Sequence, residues 1–399
     1  MERVALRPAV RLPMFIAGNV LFATGLILHA FLYNFYLDAL GLSPEAMGYA
    51  ASALTVGSLG ALIPAGLLAD RRGPKTALLV GVVVLVTGLA LGAVVTTPLA
   101  ACGAAVVAGM GSAFWRVAVA PLLMRLTGPA RRAQAFAWNV GALAAWGGVG
   151  IGITGGASAW LEARWGLGRL LALRVMLMMG ALASAASWLV YSPLPVEIDA
   201  AATATGGVVG ADTALPREIL ARIGLLAVWM VGTALVSQFF NIFFAHVYHL
   251  PIQRIGVIFA AGSWCWAAIV LASGRFASRM GVRRLLFAAA FAVVPAVWGL
   301  ALGGSVAFAV ALYLLQGAIA PLAAPLIDQW LLEQTPPERQ GAVSSWRQVA
   351  ADLSAITGAG LGGRILATGS FDSLFATAGA VSLAGAVGLL ASTRARSHR

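Results

Sequence analysis

The sequence predicts an all-α membrane protein of twelve transmembrane helices, arranged as two pseudo-symmetric halves of six. Three observations predict it: a very apolar composition, apolar runs of bilayer-spanning length that follow one another closely, and a repeat that relates the two halves. Of the 399 residues, 60% are hydrophobic and only 10% are charged, whereas soluble domains carry about 25% charged residues. So few charges cannot cover a water-exposed surface.

Each apolar run is long enough to cross a bilayer as a helix, which takes roughly 17–25 residues. Helices are expected because lipid leaves only helices and closed barrels with satisfied backbones, and a barrel would show short alternating segments. The first run is too long for the apolar core of a signal peptide, so we expect it to stay in the protein. The predicted spans are 14–38, 46–69, 76–96, 98–124, 133–160, 170–191, 219–246, 255–273, 285–303, 305–332, 342–366 and 374–392.

The second half of the chain repeats the first at a constant offset of 208 residues. The matched pairs include Gly48 with Gly256, Gly73 with Gly281, Arg71 with Arg279, Trp138 with Trp346, and Gly155 with Gly363. We therefore predict six-helix domains at 1–191 and 218–399, joined by a cytoplasmic linker at 192–217. Duplicated bundles are a transporter architecture, with the substrate expected at the repeat interface near the midplane.

Basic residues mark alternate loops, as the positive-inside rule describes for cytoplasmic loops. Arg71, Arg72 and Lys75 follow the second span, whereas the connection Thr96–Pro98 is uncharged. The net charge of +12 is thus explained by the membrane topology and does not indicate nucleic acid. We expect a monomeric, multi-pass protein of the inner (plasma) membrane, in contact with membrane lipid and with both termini in the cytoplasm.

A compact motif fills the loop after the second span, Gly66–Leu–Leu–Ala–Asp70–Arg71–Arg72–Gly73–Pro74–Lys75. It resembles the loop signature of the major facilitator superfamily, and the resemblance extends to the helix count, the duplicated halves and the long central loop. The resemblance implies the fold of that superfamily, alternating access, and a loop that latches the outward-open state. Gly66 would allow two helices to approach closely and Gly73 a tight turn, while Asp70 could accept hydrogen bonds from a helix N-terminus.

The second copy of this loop has Ser278 where the first has Asp70, so a charged latch would be one-sided. The alternative is that both loops are only basic anchors for anionic lipid. After the tenth span, Glu333, Glu338 and Arg339 resemble the charged stretch that ends this helix in sugar-porter relatives. The predicted latch residues are Gly66, Asp70, Arg71, Gly73, Lys75, Arg131, Arg279, Glu333 and Arg339.

Gly-x-Gly-x-x-Gly occurs in both the fifth and the eleventh spans. A dinucleotide site is excluded because no strand precedes either copy and both lie inside apolar spans. Small residues four apart, as in Gly148, Gly152 and Gly156, instead predict close helix packing. The first copy resembles the glycine-rich fifth-helix motif of drug–proton antiporters, with Thr154–Gly155 in place of its Gly-Pro pair, and this favours export. The predicted packing residues are Gly148, Gly152, Gly156, Gly358, Gly360 and Gly363.

Arg116 is the clearest ionisable residue within a span, a costly placement that usually faces the bundle interior. It lies about 15 Å from the cytoplasmic end of the fourth span, on a helical face of small residues that suits a water-filled cavity. In the superfamily it resembles, helices 1, 4, 7 and 10 line the central cavity, and an arginine in helix 4 is often tied to proton coupling. The alternative is a cation that snorkels or pairs structurally.

Other polar residues within the spans could bind a solute or carry protons. Histidines titrate near neutral pH, although a lone intramembrane histidine is as often a structural hydrogen-bonder. Asp328 and Arg347 could form a gate near the cytoplasmic mouth or, equally, a permanent ion pair. Besides Arg116, the predicted pathway residues are His29, Tyr33, Tyr36, Gln238, Asn241, His246, Asp328, Arg347 and Asp352.

We therefore expect a secondary active transporter of a small organic solute, coupled to protons, with export favoured. One alternative is an importer or facilitator of an anionic small molecule, and another is a non-transporting sensor or scaffold on the same fold. A cavity charge such as Arg116 favours transport. The sequence lacks His-Glu-x-x-His and the phosphate-binding Gly-x-x-x-x-Gly-Lys, so we expect no enzymatic activity, no cofactor and no metal.

Overall fold

The computed structural model describes residues 8–194, 215–336 and 339–394. Most of the predicted linker and Glu338 lie outside these ranges. The described residues form thirteen α-helices and one 3-10 turn, Pro129–Arg131. The helices are α1 Pro8–Ala39, α2 Pro44–Arg72, α3 Pro74–Gly92, α4 Pro98–Leu126, α5 Arg132–Trp165, α6 Arg169–Tyr191, α7 Arg217–Ser237, α8 Phe240–His246, α9 Ile252–Met280, α10 Val282–Ala301, α11 Val306–Leu332, α12 Gln340–Thr368 and α13 Phe371–Arg394.

The helices confirm the prediction of an all-α membrane protein. Ten described helical segments are long and apolar enough to cross a membrane, by length and composition. Of the remaining two predicted spans, α11 contributes a described apolar stretch at Val306–Ala320, whereas α12 carries Arg347, Asp352 and Arg364. With 29 residues, α12 is about 43 Å long, which is enough to cross. The predicted seventh span is divided into α7 and α8.

Glycine forms the tight turn in each copy of the duplicated loop. Gly73 has φ 86° before α3, and Gly281 has φ 79° before α10. Residues with a Cβ rarely adopt this left-handed region, so the repeat of glycine at an offset of 208 has a direct backbone cause. Both turns let a helix end and the next begin within one or two residues.

The chain divides into two compact units, each of which is built from several separate ranges of the sequence. Within the described residues, the first unit comprises 8–42, 53–194 and 251–260, and the second comprises 43–52, 215–250, 261–336 and 339–394. In the first unit α3 packs on α4, and α1 packs on α6 and α5. In the second unit α7 packs on α12 and α13, and α10 packs on α11 and α13.

In the first unit, some of the glycines predicted to allow close helix packing do not do so, and other glycines do. A Cβ built on Gly66 would meet no described atom within 4 Å, and the same holds for exposed Gly156. The predicted packing roles of these two glycines are therefore wrong. A Cβ on Gly109 of α4 would instead lie 1.9 Å from the Leu54 carbonyl oxygen of α2, and one on Gly155 would lie 2.9 Å from the Ile252 carbonyl oxygen.

The glycines of α12 differ in how closely the atoms of other helices in the second unit approach them. A Cβ on Gly358 would lie 2.4 Å from Ala234 Cβ, and one on Gly363 would lie 2.5 Å from the Pro44 carbonyl oxygen. At Gly360 the nearest atom would be 3.3 Å away. Substitution by a larger residue would therefore force backbone movement at Gly358 and Gly363, but only a small adjustment at Gly360.

Candidate functional site

The second unit contains a cavity of about 440 Å³ between α7, α8, α11 and α12. This volume falls within the range of roughly 300–1,000 Å³ that is usual for small-molecule sites. None of the described residues that line it is charged. They are Trp229, Met230, Thr233, Ala234, Ser237, Phe240, Tyr313, Gln316, Gly317, Ala320, Ile327, Ala351, Ser354 and Ala355.

The cavity lies beside the interruption between α7 and α8. Ser237, the last residue of α7, and Phe240, the first of α8, both line it. Between them the Phe239 N–H donates to the Val236 carbonyl at 3.0 Å, a tighter turn than an α-helix makes. Interrupted helices at membrane depth are tolerated where they line a cavity, and they mark binding sites in many transporters.

Aromatic rings and one amide dominate the cavity wall. Phe240 and Tyr313 pack with ring centroids 4.9 Å apart at an interplanar angle of 66°. Gln316 of α11, one helical turn from Tyr313, is only 5% exposed. We did not predict Gln316 as a site residue. Its signal in the sequence is an amide within an otherwise apolar span, and such groups are costly unless they have a partner.

A chain of polar contacts runs along α12 next to the cavity. Arg347 pairs through Nε with Asp328 of α11, and its Nη2 donates to Gln348 Oε1 at 3.2 Å. Gln348 Nε2 in turn donates to Asp352 Oδ1 at 3.1 Å. Asp352 is 9% exposed, whereas the Asp328 side chain is 41% exposed. The predicted contact between Asp328 and Arg347 is thus present, and it continues to a buried carboxylate beside cavity-lining Ala351.

His29, Tyr33 and Tyr36 share one face of α1, as the sequence predicts, but that face packs inside the first unit. A Cβ on Gly92 of α3 would lie 3.5 Å from the Tyr33 ring and 3.7 Å from the His29 ring. The Tyr36 hydroxyl donates to the Val95 carbonyl at 2.6 Å and accepts from Arg174 Nε of α6 at 3.3 Å. These contacts are interior packing, so the three residues are left out of the proposed solute contacts.

The polar residues predicted on the seventh span do not line the cavity either. Gln238 lies exposed in the interruption, His246 is exposed at the end of α8, and Asn241 is buried at 2% exposure. The cavity instead uses Thr233 and Ser237 from the same span. The error arose because the interruption after Ser237 changes the helical phase, so a continuous helix drawn through residues 219–246 assigns the wrong face.

Arg116 lies on α4 of the first unit and contacts α2. Its Nη1 donates to Ser58 Oγ at 3.1 Å. Ser58 is 4% exposed, whereas Arg116 itself is exposed. An exposed guanidinium in the middle of an apolar span has to face either lipid or water, and only water accommodates the charge at low cost.

The predicted latch residues lie at the ends of their helices. Asp70, Arg71, Arg131, Arg279 and Glu333 are exposed. Gln329 Nε2 donates to Glu333 Oε1 at 2.9 Å, and Arg339 is partly buried. Lys75 has a different arrangement, because its Nζ donates to the carbonyls of Ser192 and Leu194 at 2.7 and 2.6 Å. A cation at a helix C-terminus stabilises it, so Lys75 fastens the start of α3 to the end of α6.

Sequence reasoning missed a buried polar cluster that joins four helices of the first unit. Asn19 of α1, which is fully buried, accepts hydrogen bonds from Tyr191 at 2.7 Å and Trp115 at 3.1 Å. Its amide nitrogen donates to Asn139 Oδ1 at 2.7 Å. Asn19 and Asn139 are polar residues within predicted spans, a signal that could have revealed them. All contacts shown are internal, which indicates a role in fixing helix positions.

Comparison with known proteins places the chain in a family. The sequence profile of the Major Facilitator Superfamily matches residues 14–313 and again 225–399. None of the curated proteins matches significantly. Among solved structures, nucleoside transporter NupG is similar with a TM-score of 0.79 at 14% identity, over 97% of this chain and 99% of that chain.

Two further solved structures have the same fold. A bacterial homolog of the human lysosomal transporter Spinster, in an inward-facing and occupied conformation, gives a TM-score of 0.74 at 14% identity, over 98% of each chain. A bacterial homologue of the iron transporter ferroportin, in an inward-facing state, gives 0.72 at 15% identity, over 97% of this chain and 99% of that chain. At these identities the likeness shows the fold alone, while the profile covers most of the sequence. The chain is therefore a multi-pass membrane protein that belongs to the major facilitator superfamily.

Proposed function

We propose that the protein is a secondary active transporter that moves a small organic solute by alternating access and couples this movement to protons. The observation that carries the proposal is the cavity beside the interrupted span α7–α8, together with a chain of ionisable groups on α12, one of the helices that line it. A scaffold or sensor would have no need for charges at membrane depth. The similar structures are described as transporters of unlike cargo, nucleosides and iron among them, so they do not select a solute.

Asp352 is the group that we propose as the proton carrier. Its carboxylate is buried on α12, and it is linked through Gln348 and Arg347 to the more exposed Asp328. When Asp352 gains a proton, its carboxylate loses its negative charge, and the hydrogen bond that Oδ1 accepts from Gln348 Nε2 becomes weaker. The change reaches Arg347, whose pairing with Asp328 can therefore respond.

The test is the replacement Asp352→Asn, which preserves shape and removes titration. A thermal-shift screen first identifies a solute, since a ligand that binds the folded state stabilises it. In proteoliposomes we expect Asp352→Asn to retain exchange of that solute across the membrane but to lose its accumulation under a pH gradient. The control is Asp372→Asn in the exposed first turn of α13, which should accumulate the solute like the wild type. Undiminished gradient-driven accumulation by Asp352→Asn would contradict the assignment.

We further propose export as the direction of transport, with the protein in the inner membrane and both termini in the cytoplasm. The support is the glycine pattern of α5 and the distribution of basic residues between alternate loops. Intact cells that produce the protein should retain less of the labelled solute than cells that produce Asp352→Asn. An uncoupler that collapses the proton gradient should remove the difference.

For the loop between α2 and α3 we propose a conformational role centred on Asp70. This carboxylate lies in the last turn of α2, where the helix dipole disfavours an anion, so it does not serve the stability of that helix. Asp70→Asn should shift the population away from the outward-open state. Spin-label distances across the cytoplasmic ends would measure the shift, and Ser278→Ala in the second copy should change them less. A distance distribution in Asp70→Asn identical to the wild type would contradict the proposal.

A further inference from the structure

The cavity of the second unit has an uneven supply of hydrogen-bond donors and acceptors. Its three aliphatic hydroxyl groups already donate their protons to backbone carbonyls of their own helices. These bonds join Thr233 to Met230 at 2.9 Å, Ser237 to Ala234 at 3.3 Å, and Ser354 to Ala350 at 2.7 Å. The Trp229 indole N–H donates to the Ala290 carbonyl at 3.2 Å. The hydroxyl oxygens can therefore only accept hydrogen bonds from a ligand, and the indole presents its ring surface. None of these four groups has a free donor for an anion.

Gln316 differs from these groups, because its amide offers both donors and an acceptor to the cavity. The side chain lines the cavity and is 95% buried. Among the residues that the structure describes, its amide has no hydrogen-bond partner. A carboxamide presents two N–H donors and one carbonyl acceptor in one plane, and at Gln316 these groups are available to a ligand in the cavity. A ligand with a donor and an acceptor side by side would satisfy both sides of the amide at once.

The cavity walls favour a flat, uncharged ligand. Trp229, Phe240 and Tyr313 contribute ring surface, against which planar groups pack well. A cation would be attracted to these rings, but the described lining includes no carboxylate to offset the loss of its hydration. An anion would find no lining cation, and the Gln316 amide and the Tyr313 hydroxyl are too few donors to offset the loss of its hydration. Of the three charge classes, an uncharged ligand alone incurs no such loss.

We propose that the cavity binds an uncharged planar heterocycle that presents a neighbouring N–H and C=O, a lactam edge, to Gln316. This rests on the proposed transport function and specifies its substrate class. The ring would lie between the aromatic walls, and its remaining N–H or O–H groups would donate to the oxygens of Thr233, Ser237 and Ser354.

The experiment measures binding to the purified full-length protein by calorimetry with four probes. Inosine is uncharged and has the lactam edge, purine riboside lacks that edge, inosine 5′-monophosphate adds negative charge, and ethidium is a planar cation. We expect inosine to bind at least about tenfold more tightly than each of the other three. Gln316→Leu should weaken inosine binding about tenfold and leave purine riboside unchanged.

A matched control comes from the same helix. Gln329 of α11 is exposed and bonds to Glu333, outside the cavity, so Gln329→Leu should leave all four affinities unchanged. Gln316→Leu removes no hydrogen bond among the described residues, so its melting temperature should equal or exceed that of the wild type. A melting temperature below that of the wild type would contradict the unpaired state of the amide.

Three results would overturn the proposal: no inosine binding, tighter binding of ethidium or of the monophosphate, or an unchanged inosine affinity in Gln316→Leu. These outcomes are distinct from failure of the proposed function. Proton-coupled transport of a charged solute without inosine binding would refute the substrate class alone. Inosine binding to a protein that shows no proton-coupled flux would refute the coupling alone.

Discussion

Replacement of Arg116 by alanine is expected to abolish transport while the protein remains folded and inserted. The guanidinium lies in mid-span on α4 and is exposed, with Ser58 among its contacts. Insertion scales assign a cation at mid-membrane a cost of about 2.5–3.5 kcal/mol. Removal of the charge should therefore not harm insertion. We propose that the loss of transport would come from the field and the hydrogen-bonding geometry that the cation supplies to the transport pathway.

Two further measurements separate the possible roles of Arg116. Arg116→Lys keeps the charge but loses the planar guanidinium, so we expect partial activity. If Arg116 binds an anionic group of the solute, Arg116→Ala should lower affinity and leave the pH profile unchanged. If it tunes a proton-carrying acid, affinity should survive and the pH profile of transport should shift. Because we propose an uncharged ligand for the cavity, we expect the second result.

The control for these measurements is Arg125→Ala, in the exposed last turn of the same helix. It removes a cation from α4 outside the apolar span and should leave transport near the wild-type rate. Flux is measured in proteoliposomes, with folding checked by size-exclusion chromatography. Wild-type flux in Arg116→Ala would show that the residue is a structural cation.

The second large effect is expected on stability, from Gly109→Ala. The added methyl carbon would lie 1.9 Å from the Leu54 carbonyl oxygen and 2.9 Å from the Ser58 nitrogen. Both atoms belong to the backbone of α2, so α2 and α4 must move apart. Overpacking of this kind costs about 1–3 kcal/mol, and occasionally more. We expect the melting temperature of the purified protein to fall by about 1–4 °C.

Gly103→Ala provides the matched control for this prediction. Gly103 is exposed on the same helix, and a Cβ there would meet no described atom within 4 Å. The substitution should leave the melting temperature unchanged or raise it slightly, since alanine favours helix over glycine. Equal melting temperatures for the two variants would mean that α2 and α4 do not cross at Gly109.

The sequence was sufficient for the helices and the turns but not for the direction in which polar faces point. Hydropathy predicts the spans because a bilayer demands long apolar helices, and Gly73 is predictable because its turn is local. His29, Tyr33 and Tyr36 were correctly placed on one face. Whether that face meets α3 and α6 or a solute depends on the packing of distant segments, which periodicity does not contain.

The glycines and the cavity show the same contrast between local sequence signals, which are predictable, and tertiary packing, which is not. Gly66 and Gly109 are equally plausible packing residues in sequence, and only the crossing of α2 with α4 distinguishes them. Gln316 has no local signal beyond being an amide within an apolar span. Its place in the candidate site follows from three helices that meet around it, a tertiary property.

The interruption between α7 and α8 has a mechanical consequence for the cavity wall. Seven residues make up α8, too few for more than a few hydrogen bonds along its axis. Its position is fixed largely by ring contacts, such as Phe243 on Phe375 at 4.8 Å and Phe244 on Tyr313 at 5.6 Å. A small shift of these rings breaks no backbone hydrogen bond. We therefore expect α8 to move as a short rigid unit about the interruption, and thereby to adjust the width of the cavity to its occupant without the unwinding of a helix.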